Sequence, residues 1–217
     1  MSAKVLGICP DGSTLSVHPF ESIFSSFKDV STEGFDGIDA LLLQGGEDID
    51  SNLYGEKAHP YNGSRGYRSK RDEFERKAVL YCRAKNIPII GTCRGAQMLC
   101  AMAGGTLIQH VTGHGLSHTV YTQQGEVFPV TSVHHQMMYP YGIPHELLAW
   151  SNIPQSSVYH GATDNQFKTL MENKPEPEIV YFPQLKGLAI QGHPEYANAG
   201  KQFVEFCIRE INERLFK

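Results

Sequence analysis

The sequence predicts an α/β fold, a three-layer sandwich with a central, mostly parallel sheet flanked by helices. Three observations carry that reading. Short apolar runs recur at residues 4–9, 39–43 and 87–90, each closed by a turn containing Gly or Pro. Amphipathic helical patterns lie between and after them, and strand, helix, strand, helix in that order implies βαβ units. At 217 residues the chain is long enough for one well-buried core, so residues 1–217 are read as one domain.

Residues 4–9 (KVLGIC) read as a buried strand, followed by the turn Pro10-Asp11-Gly12. Phe20, Ile23, Phe24 and Phe27 recur at i, i+3, i+4 and i+7, which predicts a helix over 20–30. Residues 39–43 (DALLL) form the next strand and run into Gln44-Gly45-Gly46-Glu47-Asp48. Residues 50–70, rich in Gly, Asn, Ser and Tyr, read as a long loop, and such loops inside compact domains are usually functional. Residues 72–86 form an amphipathic helix with Phe74, Ala78, Val79, Tyr81 and Cys82 available to face inward.

The strand 87–90, a sharp turn and a helix over 96–103 follow, stopped by Gly104-Gly105. Beyond Thr106 the pattern shifts to short strands at 119–122, 126–130 and 147–151, then 178–182 and 188–191. Residues 173–178 (NKPEPE) read as a loop, since too little chain follows for a second core. The helix 201–216 has Phe203, Val204, Phe206, Cys207, Ile208 and Ile211 as its inner face.

A formal net charge of −4 gives no basic footprint for nucleic acid or a membrane surface. Arg65, Arg68, Lys70 and Arg71, with Gly66 and Tyr67 among them, read as a solvated or substrate-facing loop. There is no charged-then-apolar leader and no apolar run near 18 residues, so the expectation is a soluble, cytoplasmic protein. Five cysteines without framework spacing fit a reducing compartment, and Cys9, Cys82, Cys100 and Cys207 read as small core residues.

Cys93 is different. Gly91-Thr92-Cys93-Arg94-Gly95-Ala96-Gln97 joins a strand to a helix, the layout of a nucleophile elbow. The helix start places free N–H groups and a positive dipole end beside the sulfur, which favours the thiolate. About a hundred residues later, Gln191-Gly192-His193-Pro194-Glu195 supplies a base and a carboxylate. Pro194 biases its neighbours towards extended backbone, where residues i and i+2 share a side. Glu195 can then accept from Nδ1 of His193, leaving Nε2 for Cys93. Oxyanion donors would be the backbone N–H of Arg94 and one from the Gly45-Gly46 turn, taken at Gly46. Both lie at carboxyl ends of strands, where such sheets bind ligands.

The combination resembles the class I glutamine amidotransferase-like superfamily, whose elbow reads G-x-C-x-G-x-Q and whose second motif reads H-P-E. Within it the chain looks most like the γ-glutamyl hydrolase branch, peptidase family C26. Leu43-Gln44-Gly45-Gly46-Glu47-Asp48-Ile49 with Tyr54-Gly55, then Arg71-Asp72-Glu73-Phe74-Glu75, then Ser132-Val133-His134-His135-Gln136 are similar to three further segments of that branch. The resemblance covers about residues 38–136 and 178–213. It implies a flavodoxin-like fold, Cys93 as nucleophile, His193 as base and Glu195 as its orienter. It also implies that Gly45, Gln97 and the backbone of Ser132, Val133 and His134 hold the glutamyl moiety, with no metal or organic cofactor. Gln191-Gly192 stands where an aromatic commonly precedes the second motif, which predicts a more open wall, and Thr131 stands where the branch often has Asn.

The reading that follows is hydrolysis of a γ-glutamyl amide, a γ-glutamyl amine or peptide or glutamine, through a glutamyl thioester. The alternative is a glutaminase subunit feeding ammonia to a synthetase or ligase partner in trans. A non-catalytic regulatory module, a thiol esterase and a redox sensor are weaker readings, and a homodimer is open. His114 and His118 have the spacing of helical zinc ligands and His134-His135 adds imidazoles, but Gly113 and Gly115 argue against a helix. With no carboxylate or thiol close in sequence, His110, His114 and His118 are read as lining the loop above the site. Gly45-Gly46 lacks the Lys-Ser/Thr of a phosphate loop, which argues against nucleotide binding.

Overall fold

The computed structural model describes residues 3–9, 17–64, 66 and 68–217. The predicted turn at 10–12, and Arg65 and Tyr67 of the basic group, lie outside the described residues. The strands are β1 (Val5–Cys9), β2 (Ser26–Asp29), β3 (Ala40–Leu43), β4 (Ile89–Thr92), β5 (Thr106–Ile108), β6 (His110–Val111), β7 (His118–Thr122), β8 (Val127–Val130), β9 (Met137–Tyr139), β10 (Glu146–Ser151), β11 (Tyr159–His160), β12 (Pro177–Phe182) and β13 (Gly187–Ile190). The helices are α1 (Val30–Glu33), α2 (Lys70–Lys85), α3 (Arg94–Met102), α4 (Lys168–Met171) and α5 (Lys201–Leu215).

One nine-stranded sheet runs in the order β2-β1-β3-β4-β13-β12-β10-β7-β8. The five strands from β2 to β13 are mutually parallel, and β12, β10, β7 and β8 extend the sheet by antiparallel pairing. The parallel strands are apolar runs because both faces are covered. Leu41, Leu43 and Ile89 pack with Ala78, Val79, Cys82 and Leu99 of α2 and α3. Ala40, Leu42 and Ile90 pack with Phe203, Phe206, Cys207 and Ile211 of α5. That alternation sets the three layers. The antiparallel strands β7 and β8 instead alternate buried and more exposed residues. Pro129 sits in β8, the last strand in the order, where a missing ladder donor costs little.

The helix predicted over 20–30 is a correction. Phe20–Ser22 is a 3-10 turn, residues 26–29 form the edge strand β2, and α1 begins only at Val30. Phe20 and Phe24 are buried as their spacing demands, but one turn satisfies it, with the Phe24 N–H on Phe20 O at 2.9 Å. A run of two or three turns has little helical stability of its own, and pairing with β1 takes the rest. Among the described residues no helix is long and apolar enough to cross a membrane.

Candidate active site

Cys93 occupies the corner between β4 and α3, with φ 49° and ψ −108°. A non-glycine residue held there costs roughly 1–3 kcal/mol, which the surroundings must over-determine. They do so through backbone. The Cys93 N–H donates to Ile190 O at 2.8 Å, and Cys93 O accepts from the Gln97 N–H at 3.2 Å. A Cβ at Gly91 would collide with Gly95 O, and one at Gly95 with Leu43 O, so β3, β4 and α3 close-pack main chain to main chain. Only glycine fits at either position.

His193 follows β13 by three residues and is anchored by its N–H on Thr131 O at 3.0 Å. Its Nδ1 lies 2.7 Å from Glu195 Oε1. Its buried Nε2 has no hydrogen-bond partner among the described residues. A Cβ on Gly45 would sit 3.0 Å from His193 Cε1 and 3.6 Å from Cys93 Cβ, so imidazole and thiol meet over this glycine. Tyr196 stacks on the His193 ring with centroids 4.2 Å apart. Burial alone would lower the pKa of His193, but interaction with Cys93 and then with Glu195 more than offsets it and raises it to about 10. The other four cysteines are buried, and burial raises their thiols, Cys82 and Cys100 to about 12.

Gly46, with φ +146°, lies between the side chains of Arg71 and Arg94. Arg94 is the first residue of α3, where backbone N–H groups point outward, and its guanidinium turns the other way. That side chain is 2 % exposed and pairs with Glu75 and, at 2.5 Å, with Asp72. Arg71 Nε meets the other oxygen of Glu75 at 2.7 Å while its Nη2 donates to Gln44 O at 2.8 Å. Asp72 also closes a capping box with Ser69 at the start of α2. One set of two cations and two buried carboxylates, with Arg94 buried and Arg71 partly exposed, thus ties α2, the elbow and the Gly45-Gly46 turn together. Glu75 was read only as part of the Arg71–Glu75 segment, and its pairing with Arg94 is what the sequence did not show; a carboxylate on the same helix face as Ala78, Val79 and Cys82 was its signal.

Beside Gly46 and Arg94 opens a cavity of about 830 Å³ whose rim carries Asp48, Arg68, Arg71 and His135. Cys93 and His193 do not line it; they sit behind Gly46, with Cys93 8 % exposed. Arg68 is half exposed and reaches Asp50 and Glu73, which divides the predicted basic group among separate partners.

The remaining predicted residues make contacts of their own. Gln97 is buried and donates to Gln136 O at 3.1 Å. Ser132 Oγ donates to His114 O at 2.6 Å, the His134 N–H bonds the same carbonyl at 3.2 Å, and Val133 is exposed. The opening expected at Gly192 does not exist, because a Cβ there would lie 2.9 Å from Thr131 O and 3.0 Å from Phe203 Cζ. Phe203 of α5 fills that space. His114 and His118 are a second correction. Both are buried against Glu176 and Glu178 near the start of β12 instead of lining a loop above the site. The 60 or so intervening residues hid those carboxylates from any local pattern.

Residues 23–163 match the family Peptidase C26. Protein NtpR of Enterococcus hirae is 34% identical over 186 residues, 81% of this chain and 76% of that protein. A candidate glutamine amidotransferase of Mycobacterium tuberculosis is 31% identical over 165 residues, 74% of this chain and 51% of that protein, so the chain spans about half that relative's length. A solved glutamine amidotransferase structure from Thermotoga maritima superposes with a TM-score of 0.56 at 15% identity, over 99% of this chain and 86% of that one. That likeness establishes the shared flavodoxin-like fold.

Proposed function

From the premise that this chain belongs to the Peptidase C26 family, within the class I glutamine amidotransferase-like superfamily, we propose that it is a cysteine-dependent γ-glutamyl amide hydrolase. The observation that carries the reading is the strained elbow of Cys93 facing an imidazole whose far nitrogen is held by Glu195. Cys93 Sγ attacks the side-chain amide carbonyl, and the developing oxyanion is met by the N–H groups of Gly46 and Arg94. The C–N bond then breaks as His193 protonates the departing amine. Water, deprotonated by His193, opens the thioester and releases glutamate with the thiol restored.

The cavity beside Gly46 supplies room for a substituted amide, although neither Cys93 nor His193 lines it. Ammonia needs no such room, whereas about 830 Å³ accommodates an amine substituent of drug-like size. Its rim bears both signs of charge, which suits a zwitterionic or aminated leaving group. A second reading, a glutaminase subunit that passes ammonia to a synthetase in trans, is favoured by the amidotransferase name of the M. tuberculosis relative.

Glutamate release from glutamine and from a panel of γ-glutamyl amines and peptides, with Cys93→Ala as control, tests the proposal. Turnover of a substituted amide well above that of glutamine supports the free-standing hydrolase. Weak glutaminase activity alone supports the subunit reading, and undiminished activity in Cys93→Ala overturns the mechanism.

A further inference from the structure

We propose that His114, His118, His134 and Glu178 form a closed site for one divalent ion of the zinc type, separate from the Cys93 centre. All four side chains are buried, from 0% exposed at His114 to 9% at His118. Each imidazole spends its outer nitrogen on a fixed acceptor. His114 Nε2 lies 3.1 Å from Glu176 Oε2, His118 Nδ1 3.3 Å from Leu116 O, and His134 Nδ1 2.8 Å from Gln136 O. A neutral imidazole that donates at one nitrogen presents a lone pair at the other.

The three inner nitrogens converge on one carboxylate. From Glu178 Oε1 the distances are 2.8 Å to His118 Nε2, 3.2 Å to His114 Nδ1 and 3.9 Å to His134 Nε2. Two of these atoms, His114 Nδ1 and His134 Nε2, have no hydrogen-bond partner despite full burial, and neither does Glu178 Oε2. His118 Nε2 already hydrogen-bonds Glu178 Oε1, and a cation among these groups would take the place of that proton and satisfy the unpartnered atoms together. Ligand atoms on a tetrahedral zinc ion stand about 3.3 Å apart, given Zn–N bonds of about 2.0 Å. His114, His118 and Glu178 already hold their ligand atoms within 4.8 Å of one another, and inward movement of His134 would complete a three-nitrogen, one-oxygen set. The Glu176, Leu116 and Gln136 contacts are the outer partners that orient metal-binding imidazoles.

The ligands come from three separated segments, 114–118, 134 and 178. Glu178 O accepts from the Gln191 N–H at 2.8 Å, two residues before His193, and Thr131, three residues before His134, accepts from His193 itself. An ion there would clamp the segments that carry His193, with no open position for substrate, which makes it structural. A second group, His59, His160 and Asp164, is less suited. His160 Nδ1 already accepts from the Asn165 N–H at 2.8 Å, and Asp164 is 81 % exposed.

The test is metal analysis of the purified full chain, then chelator treatment and titration with Zn²⁺ followed by thermal unfolding. The expected result is about one retained equivalent and a Tm rise of roughly 5 °C or more on restoring Zn²⁺. Glu178→Gln and His118→Ala should lose both, while His160→Ala keeps both. Absence of stoichiometric binding in the unsubstituted chain overturns the proposal, as does binding that survives in Glu178→Gln or disappears only in His160→Ala. Should the ligand variants not fold, Co²⁺ in the unsubstituted chain decides. Intense tetrahedral d–d bands support the site, and weak octahedral bands or none overturn it.

Discussion

The parallel and antiparallel halves of the sheet place polar chemistry in opposite ways. In the parallel half, β3 and β4 end together, and Gly45-Gly46 and Cys93 project from those ends into the open edge. Their chemistry is made by local backbone: a turn, a positive φ, a helix start. In the antiparallel half, Glu178 of β12 and His118 of β7 lie buried and meet partners far away in the chain. Their chemistry is made by side chains brought together only on folding. β13 is the seam, parallel to β4 and antiparallel to β12, and it delivers His193 to the first half. The lesson is that a strand end exposes backbone donors to a ligand, while a strand interior can host polar groups only if they satisfy one another.

That contrast can be broken or sharpened by substitution. The largest effect is expected at the elbow. Cys93→Ala should lower kcat for glutamate release by about 10⁴-fold or more, with the far-UV spectrum unchanged. Loss of structure in that variant would mean the corner depends on the thiol and not on its backbone bonds to Ile190 and Gln97.

Glu195→Gln tests the seam. It should reduce kcat roughly 10²- to 10³-fold and move the alkaline limb of the pH–rate profile to lower pH. The sign follows from His193, whose pKa is raised, so the protonated form persists until pH climbs through about 10. Its contribution to stability is complete below the ordinary histidine value of about 6.5 and is lost as pH rises from there to about 10. Removing one of the interactions that raise it lowers the folded-state value. The alkaline limb and the upper end of the stability window then move down, while the lower end stays at the ordinary value. An unmoved limb in a rate profile of the variant would detach Glu195 from this role.

Arg94→Met tests whether buried ionic groups steady the parallel half as well. It strands Glu75 and Asp72 and should cost about 3–5 kcal/mol by denaturant unfolding. A cost under 1 kcal/mol would show that Arg71 alone satisfies both carboxylates. The smallest effect belongs to the outward face of the antiparallel half, where Tyr121→Ser should stay within about 0.5 kcal/mol in the same assay. A larger loss would show that this face is covered in solution.

The parallel half was legible because its signals are contiguous. The apolar runs, Gly91 and Gly95 flanking Cys93, and His193 two residues from Glu195 each read within a few residues. The helix misread over 20–30 failed for a related reason. Spacing of Phe20 and Phe24 is met equally by a helix and by one turn before a strand, and only β1 chose between them. Glu178 escaped notice because its histidine partners are some 60 residues away, and no periodicity reports a contact at that range. The open wall expected at Gly192 failed because Phe203, from another layer, had already taken the space.

By itself, then, the sequence determined the buried strands at 4–9, 39–43 and 87–90, the helices that follow the last two, and where a nucleophile could stand, since these follow from local steric preference and the period of apolar residues. Tertiary structure alone decided what surrounds each polar group. The guanidinium of Arg94 beside Glu75, the imidazoles around Glu178 and the ring of Phe203 under Gly192 are all set by packing across layers. A buried charge or lone pair accepts whichever partner folding brings within about 3 Å, and chain order does not encode that distance.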